Sequence, residues 1–459
     1  MKKIPLLILS VLLTGFCYAQ IRYVDSFSQG LTSANKSNKL LFVSVNPPSF
    51  ASSSGMKSRL NDPDVIKYYN DNFISFSCVI TDTAAMRQLR KFQVGNTFPC
   101  FLFIDGQNNL VYKATGNSPF ASKYMDMAKE AINLNQNGNT ITAYEKRFKT
   151  GKADAKSLKD YISLRENIGV YDNAKLVDQY VDFLTIGELN DYKTILFLLE
   201  AGPYVYGKTY SLIYNNRKIV DSIYKTETPR LRSDINNRMI VNTRAEAIAT
   251  KNKVLAQQLS NFIQNIWSKT NYRQGFIESQ REMLLYYKSV NDTTNYLREA
   301  EYFYDGNYMR ISADSAKKLL VKQRENIAKN GIRGVNSLMS IDTTKTKSVF
   351  TLREAGISAP VDPIASGLNA GAWEFYLTGT KNSNYLFKAL LWSKRSITLS
   401  PNNYAFYDTY AHLLYRLSLF QDAESNEQSA INYAKEYKLS PTQINQLEEE
   451  LRKMKQRKL

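Results

Sequence analysis

Two hydrophobic periods divide the chain. Between residues 26 and 134, short and largely apolar runs at 40–45, 73–80 and 100–104 alternate with amphipathic segments. That is the pattern of strands in a mixed sheet covered on both faces. Asp105-Gly106-Gln107-Asn108 supplies a hairpin turn, and 110–114 returns as an edge strand. A short helix is expected over 64–69, capped by Asp62 and opened by Pro63.

After Asn133 apolar residues recur at helical spacing and strand signals fade. Leu255, Leu259, Phe262, Ile263, Ile266 and Trp267 form the clearest stripe, which reads as bundle core. The stretch 158–184 predicts a helical hairpin, with Gly169 at the bend and Ala174 allowing close contact. A polar stretch over 331–363 ends in Ala359-Pro360-Val361-Asp362-Pro363, and two prolines so close forbid a continuous helix, so a linker is placed there.

The N-terminus changes the compartment. Lys2 and Lys3 precede an apolar run over 4–16, too short for a stable membrane span, and Ala19 suits cleavage, so residues 1–19 are expected to be a signal peptide. Lipidation of Cys17 would need a small residue before it, and Phe16 is bulky. Only Cys78 and Cys100 then remain, which allows at most one bridge in an oxidising compartment.

The formal charge of +18 falls to +16 without Lys2 and Lys3. These cations are scattered among acidic residues with no recognition motif, which argues against nucleic acid as a partner. Weak contact with an anionic membrane surface is the better use of the charge.

An internal repeat with a period of 34 residues pairs Trp373 with Tyr407, Ala389 with Ala423, and Ser396 with Ala430. Small residues suit the last two pairs because paired helices cross closely there. Pro401 ends the first unit, while Lys435 stands at the equivalent place in the second, so the final helix is expected to run on. The length and these positions resemble tetratricopeptide repeats, although Thr380 stands where an aromatic is usual.

The strand at 40–45, Met56, Asp62-Pro63-Asp64-Val65, Phe73 and Thr97-Phe98-Pro99 followed by the run 100–106 together resemble exported members of the thioredoxin family. The resemblance covers about a quarter of the chain. In that family a Cys-x-x-Cys pair sits at a helix N-terminus, which stabilises a thiolate. The corresponding positions here are Phe50-Ala51-Ser52-Ser53, so both sulfurs are missing and dithiol exchange has no nucleophile. Pro99 matches the family's cis-proline, and the resemblance implies a peptide groove formed by Phe50, Ala51, Ser52, Ser53, Phe98 and Pro99. In the family's sheet order the strands of Cys78 and Cys100 are not neighbours. A bridge would cross two strand spacings of about 4.8 Å each, so inert core thiols are expected.

Other chemistries find no anchor. His412 is the only histidine, no acidic triad at a recognisable spacing is evident near it, and it reads as a packing or surface residue, with no metal site assigned. Ser54 and Lys57 share the spacing of penicillin-recognising enzymes, but the middle element of that signature is absent. No phosphate-cradling loop is present, so no cofactor is expected.

The sequence therefore predicts an α/β thioredoxin-like domain over 20–135, followed by a mainly α region. That region comprises a helical domain over 136–330, a linker over 331–368, tetratricopeptide-like repeats over 369–440 and a basic helical tail over 441–459. The expected function is a non-catalytic, periplasmic or envelope-associated adaptor that binds other envelope proteins or peptides. A thiol-disulfide oxidoreductase or chaperone using Cys100 is the alternative.

Overall fold

The computed structural model describes residues 20–48, 58–92, 94, 97–330 and 362–459. The expected signal peptide therefore lies outside the described residues, as does nearly all of the expected linker. The chain divides into two compact units, 1–243 and 244–459. The stretch expected to be helical, 136–330, falls on both sides of that division.

The first unit opens with β1 (Tyr23–Val24), α1 (Phe27–Ser37), β2 (Leu40–Asn46), α2 (Pro63–Asn72), β3 (Phe73–Val79), α3 (Thr83–Leu89), β4 (Cys100–Ile104), β5 (Leu110–Thr115) and α4 (Ala121–Gln136). The strands form one sheet in the order β1-β3-β2-β4-β5. β2 lies at its centre, parallel to β3 and antiparallel to β4. Asp62 caps α2 by accepting from the Asp64 N–H, and Pro63 occupies the first turn, where a missing N–H costs nothing.

Strand alternation gives the sheet two chemically different faces. Leu41, Val43, Val45, Leu102 and Ile104 pack with Phe27 and Ala34 of α1 and Leu89 of α3. The opposite face is aromatic. Phe42 stacks on Phe101 at 5.9 Å and meets Tyr69 of α2 edge-on at 4.7 Å, while Phe101 meets Tyr124 of α4 at 5.9 Å. Tyr69 also donates its buried hydroxyl to the Tyr124 carbonyl at 2.9 Å, which ties α2 to α4.

Seven further helices follow: α5 (Ile141–Lys149), α6 (Ala155–Asn167), α7 (Ala174–Tyr180), α8 (Tyr192–Glu200), α9 (Lys208–Tyr214), α10 (Arg217–Thr226) and α11 (Pro229–Ala249), the last containing the division between units. α6 and α7 are the expected hairpin. Gly169, at φ +76°, takes the left-handed turn between them.

The second unit contains α12 (Lys253–Trp267), α13 (Tyr272–Ser289), α14 (Thr293–Tyr304), α15 (Ala313–Asn330), α16 (Pro363–Leu377), α17 (Ser383–Leu399), α18 (Tyr404–Arg416), α19 (Phe420–Glu436) and α20 (Pro441–Lys455). Its core is built around the fully buried Trp392, Phe375 and Leu368. In α12 the expected stripe buries Leu259, Phe262 and Ile263 but leaves Trp267 exposed.

Two expectations are corrected by the helix boundaries. Residues 363–368, assigned to the linker, are already helical, because Pro363 sits in the first turn of α16 under the Asp362 cap. The final helix does not run on. α19 stops at Glu436, Lys438 turns left-handed at φ +53°, and Pro441 restarts the chain as α20. The expected basic helical tail forms α20, whose Leu447 and Leu451 bury against Ile431 and Ala434 of α19.

The helices also do not recur at 34 residues. α17 and α19 begin 37 apart (383 to 420), and α16 and α18 begin 41 apart (363 to 404). The connections differ in length, so positions 34 apart in sequence occupy different turns of their helices. Among the described residues no helix is long and apolar enough to cross a membrane.

Candidate functional site

In the first unit the expected groove is described only on its proline side. Phe50, Ala51, Ser52 and Ser53 lie outside the described residues. The Phe98–Pro99 peptide bond is cis, Pro99 is buried, and its carbonyl accepts the Gly116 N–H at 2.8 Å, closing β4 onto the end of β5. Phe98 is half-buried against the aliphatic core.

The cysteines stand on either side of one residue. Val45 of β2 is registered with Cys78 on β3 and with Cys100 on β4, so the thiols are two strand spacings apart. Both are free and buried. Burial pushes each thiol up to about 11, with Asp82 adding to the rise at Cys78 and Lys113 opposing it at Cys100. A thiol held that high offers almost no thiolate at neutral pH.

In the second unit the repeat-signature residues divide by role. Ala389, Ala423 and Ala430 are fully buried between helices, which suits the close crossings expected of them. Pro401 lies exposed in the turn before α18. Trp373 stacks on Tyr376 at 5.0 Å, and Tyr407 packs on Tyr433 at 5.1 Å.

His412 is where polar chemistry collects. Its ring is 4% exposed, with Trp373 and Tyr376 edge-on at 5.3 and 5.2 Å, so it is a packing residue as the sequence implied. Its acidic surroundings were not expected. Asp408, one turn earlier on α18, places Oδ1 3.2 Å from Nδ1, and the Asp408 backbone oxygen lies 2.9 Å from the same nitrogen. Glu450 of α20 approaches Nε2 at 3.8 Å, and Glu427 of α19 completes the group from a fully buried position.

Burial works against a charged imidazole, but Asp408 and Glu450 outweigh it and hold His412 well above its usual range. Contact with His412 lowers Glu450 to about 2, with Lys453 helping. Burial and the neighbouring Asp408 carboxylate push Glu427 well up. Asp408 was within reach of sequence reasoning as a partner four residues before His412 on one helix face. Glu427 and Glu450 come from later helices, and no local spacing announces them.

No family model matches the chain, and comparison with curated proteins and with solved structures likewise gives no match.

Proposed function

We propose that this chain is a non-catalytic exported protein that binds other envelope proteins or their peptides. In this reading a thioredoxin-like domain is joined to helices of tetratricopeptide-like character. The observation that carries the proposal is the position of the two thiols. Cys78 and Cys100 flank Val45 inside the sheet, buried and with pKa values near 11, so neither is placed to attack a disulfide. Strand order β1-β3-β2-β4-β5, helices on both faces and a proline opening β4 support the thioredoxin-like reading. The alternative, redox chemistry at Cys100, needs an accessible thiolate, and Cys100 has no exposed surface.

Two measurements test this. In the folded protein at pH 7.5 both thiols should resist an alkylating reagent until denaturant is added, and an insulin-reduction assay should show no catalysis. Rapid native labelling of Cys100, or turnover, would restore the enzyme reading. For the binding role, a photo-crosslinking amino acid at position 98 should trap a defined envelope protein or peptide, whereas one at the exposed Lys149 should not. Equal, unspecific adducts at both positions would remove the adaptor reading.

A further inference from the structure

Glu427 has no exposed surface, and no donor group of the described residues lies within hydrogen-bond distance of either side-chain oxygen; the polar group that faces it is the Asp408 carboxylate. Among the described residues it is the one carboxylate with both oxygens in that condition. A buried carboxylate left this way is costly unless a proton or a cation meets it. One donor atom each from Glu427, Asp408 and His412 lie within 4.8 Å of one another, so the unsatisfied group points into a cluster of nitrogen and oxygen ligands.

We propose that Asp408, His412 and Glu427 form a binding site for a divalent transition-metal ion of the zinc type, clipping α18 to α19. One imidazole with two carboxylates is a donor set such ions accept. The i,i+4 spacing of Asp408 and His412 puts both on one face of α18.

His412 Nδ1 and Asp408 Oδ1 are 3.2 Å apart. Two donors about 2.1 Å from a common ion lie roughly 3.0–3.4 Å apart for right-angle to tetrahedral geometry, so this pair needs little movement. The ion displaces the Nδ1 proton, which otherwise faces the Asp408 backbone oxygen, together with the proton shared between Glu427 and Asp408, and both leave to water.

Two further features fit. Glu450 faces the opposite ring nitrogen at 3.8 Å, the place from which a carboxylate orients a metal-bound histidine. Charge also closes: Lys453 pairs with Glu450 at 2.9 Å, leaving Asp408 and Glu427 as two negative charges for a doubly charged ion. Trp373 and Tyr376 cover the ring, so the site is a structural clip rather than an open catalytic centre.

The test uses the full chain without a polyhistidine tag, stripped with EDTA and titrated with zinc chloride. Because His412 is the only histidine, its ¹⁵N resonances report on the site without any mutation. One zinc per chain should bind and shift the Nδ1 resonance. Glu427→Gln should weaken binding about tenfold or more, whereas Glu424→Gln, which removes a surface partner of Arg457 on the same helix, should leave it unchanged. If Glu427→Gln fails to fold, the wild-type imidazole signal decides alone. An imidazole unmoved by zinc, whether zinc binds elsewhere or not at all, overturns the proposal and leaves a proton on Glu427 as the explanation.

Discussion

The indole Nε1 of Trp392 donates to Oδ1 of Asp305 at 2.8 Å, joining a fully buried ring to a π-helical turn (Asp305–Met309) that directly follows α14. The other Asp305 oxygen accepts from Lys388 at 2.6 Å. One carboxylate thus satisfies the only donor of a buried tryptophan and holds a cation from α17. Asp305→Ala is expected to cost about 2 kcal/mol, chiefly because the indole N–H is left unsatisfied in the core. Asp305→Asn keeps an acceptor and should cost about 1 kcal/mol or less. Urea denaturation followed by far-UV circular dichroism measures both, and equal losses would show that the indole bond is not the main term.

A second packing relation fixes α16 against the end of α14. A Cβ added at Gly371 would meet the Tyr304 ring at 2.6 Å, and Tyr304 is itself wedged against Trp392 at 5.0 Å. Gly371→Ala should therefore destabilise by about 1–3 kcal/mol through overpacking, despite the better helix propensity of alanine. Gly306 has open space around its Cβ position, so Gly306→Ala should stay within about 0.5 kcal/mol of the parent. Thermal melts of the two variants side by side separate packing from backbone effects.

The sheet was legible in the sequence because its central strands are buried on both faces and so read as apolar runs, unbroken at 100–104 and interrupted at 40–45 only by Ser44. The α2 start was legible because Asp62-Pro63 is a chemical signal at a helix end. β1 was not, since two residues pairing at the edge of β3 carry no period, and neither was α3. The 34-residue spacing departs from the spacing of the helices for a different reason. Alanines fit anywhere helices cross, so Ala389 and Ala423 match at 34 residues although their helices begin 37 apart. At His412 the sequence showed one acidic neighbour, while the other two arrive from α19 and α20, a convergence only the packing of three helices creates.

Glu166 of α6 should give the first unit a distinct pH dependence. Burial raises its carboxyl to about 7, Glu200 adds to the rise, and Arg238 at 3.9 Å opposes it without forming a hydrogen bond. The folded state thus holds this proton more tightly than the unfolded chain, whose glutamates titrate near 4.5. Its contribution to stability is present below about pH 4.5, declines as pH rises through the folded value near 7, and is gone above it. Glu166→Gln should therefore gain on the order of 2–3 kcal/mol over the parent at pH 8 and almost nothing at pH 4.5. Urea midpoints of parent and variant across that range check it, and a gain that does not depend on pH would rule out ionisation as the cause.

Arg244 and Glu282 form a bidentate ion pair in the second unit, with Nε and Nη2 donating at 2.8 and 2.6 Å to a carboxylate on α13 that is 5% exposed. Their bond holds the end of α11 to α13. Burial alone would weaken the guanidinium charge, but the two hydrogen bonds more than compensate and raise it. The attraction largely offsets the cost of removing both charges from water, so the pair as a whole contributes little net stability. Removing one member is another matter: Glu282→Ala should cost about 2 kcal/mol, because the half-buried Arg244 is left without its partner. The double change Arg244→Met with Glu282→Leu should recover most of that loss, since two apolar side chains of similar volume fill the space with no charge to satisfy. A double-mutant cycle in urea gives the coupling directly. A double variant no better than Glu282→Ala would mean that the guanidinium serves packing rather than charge balance.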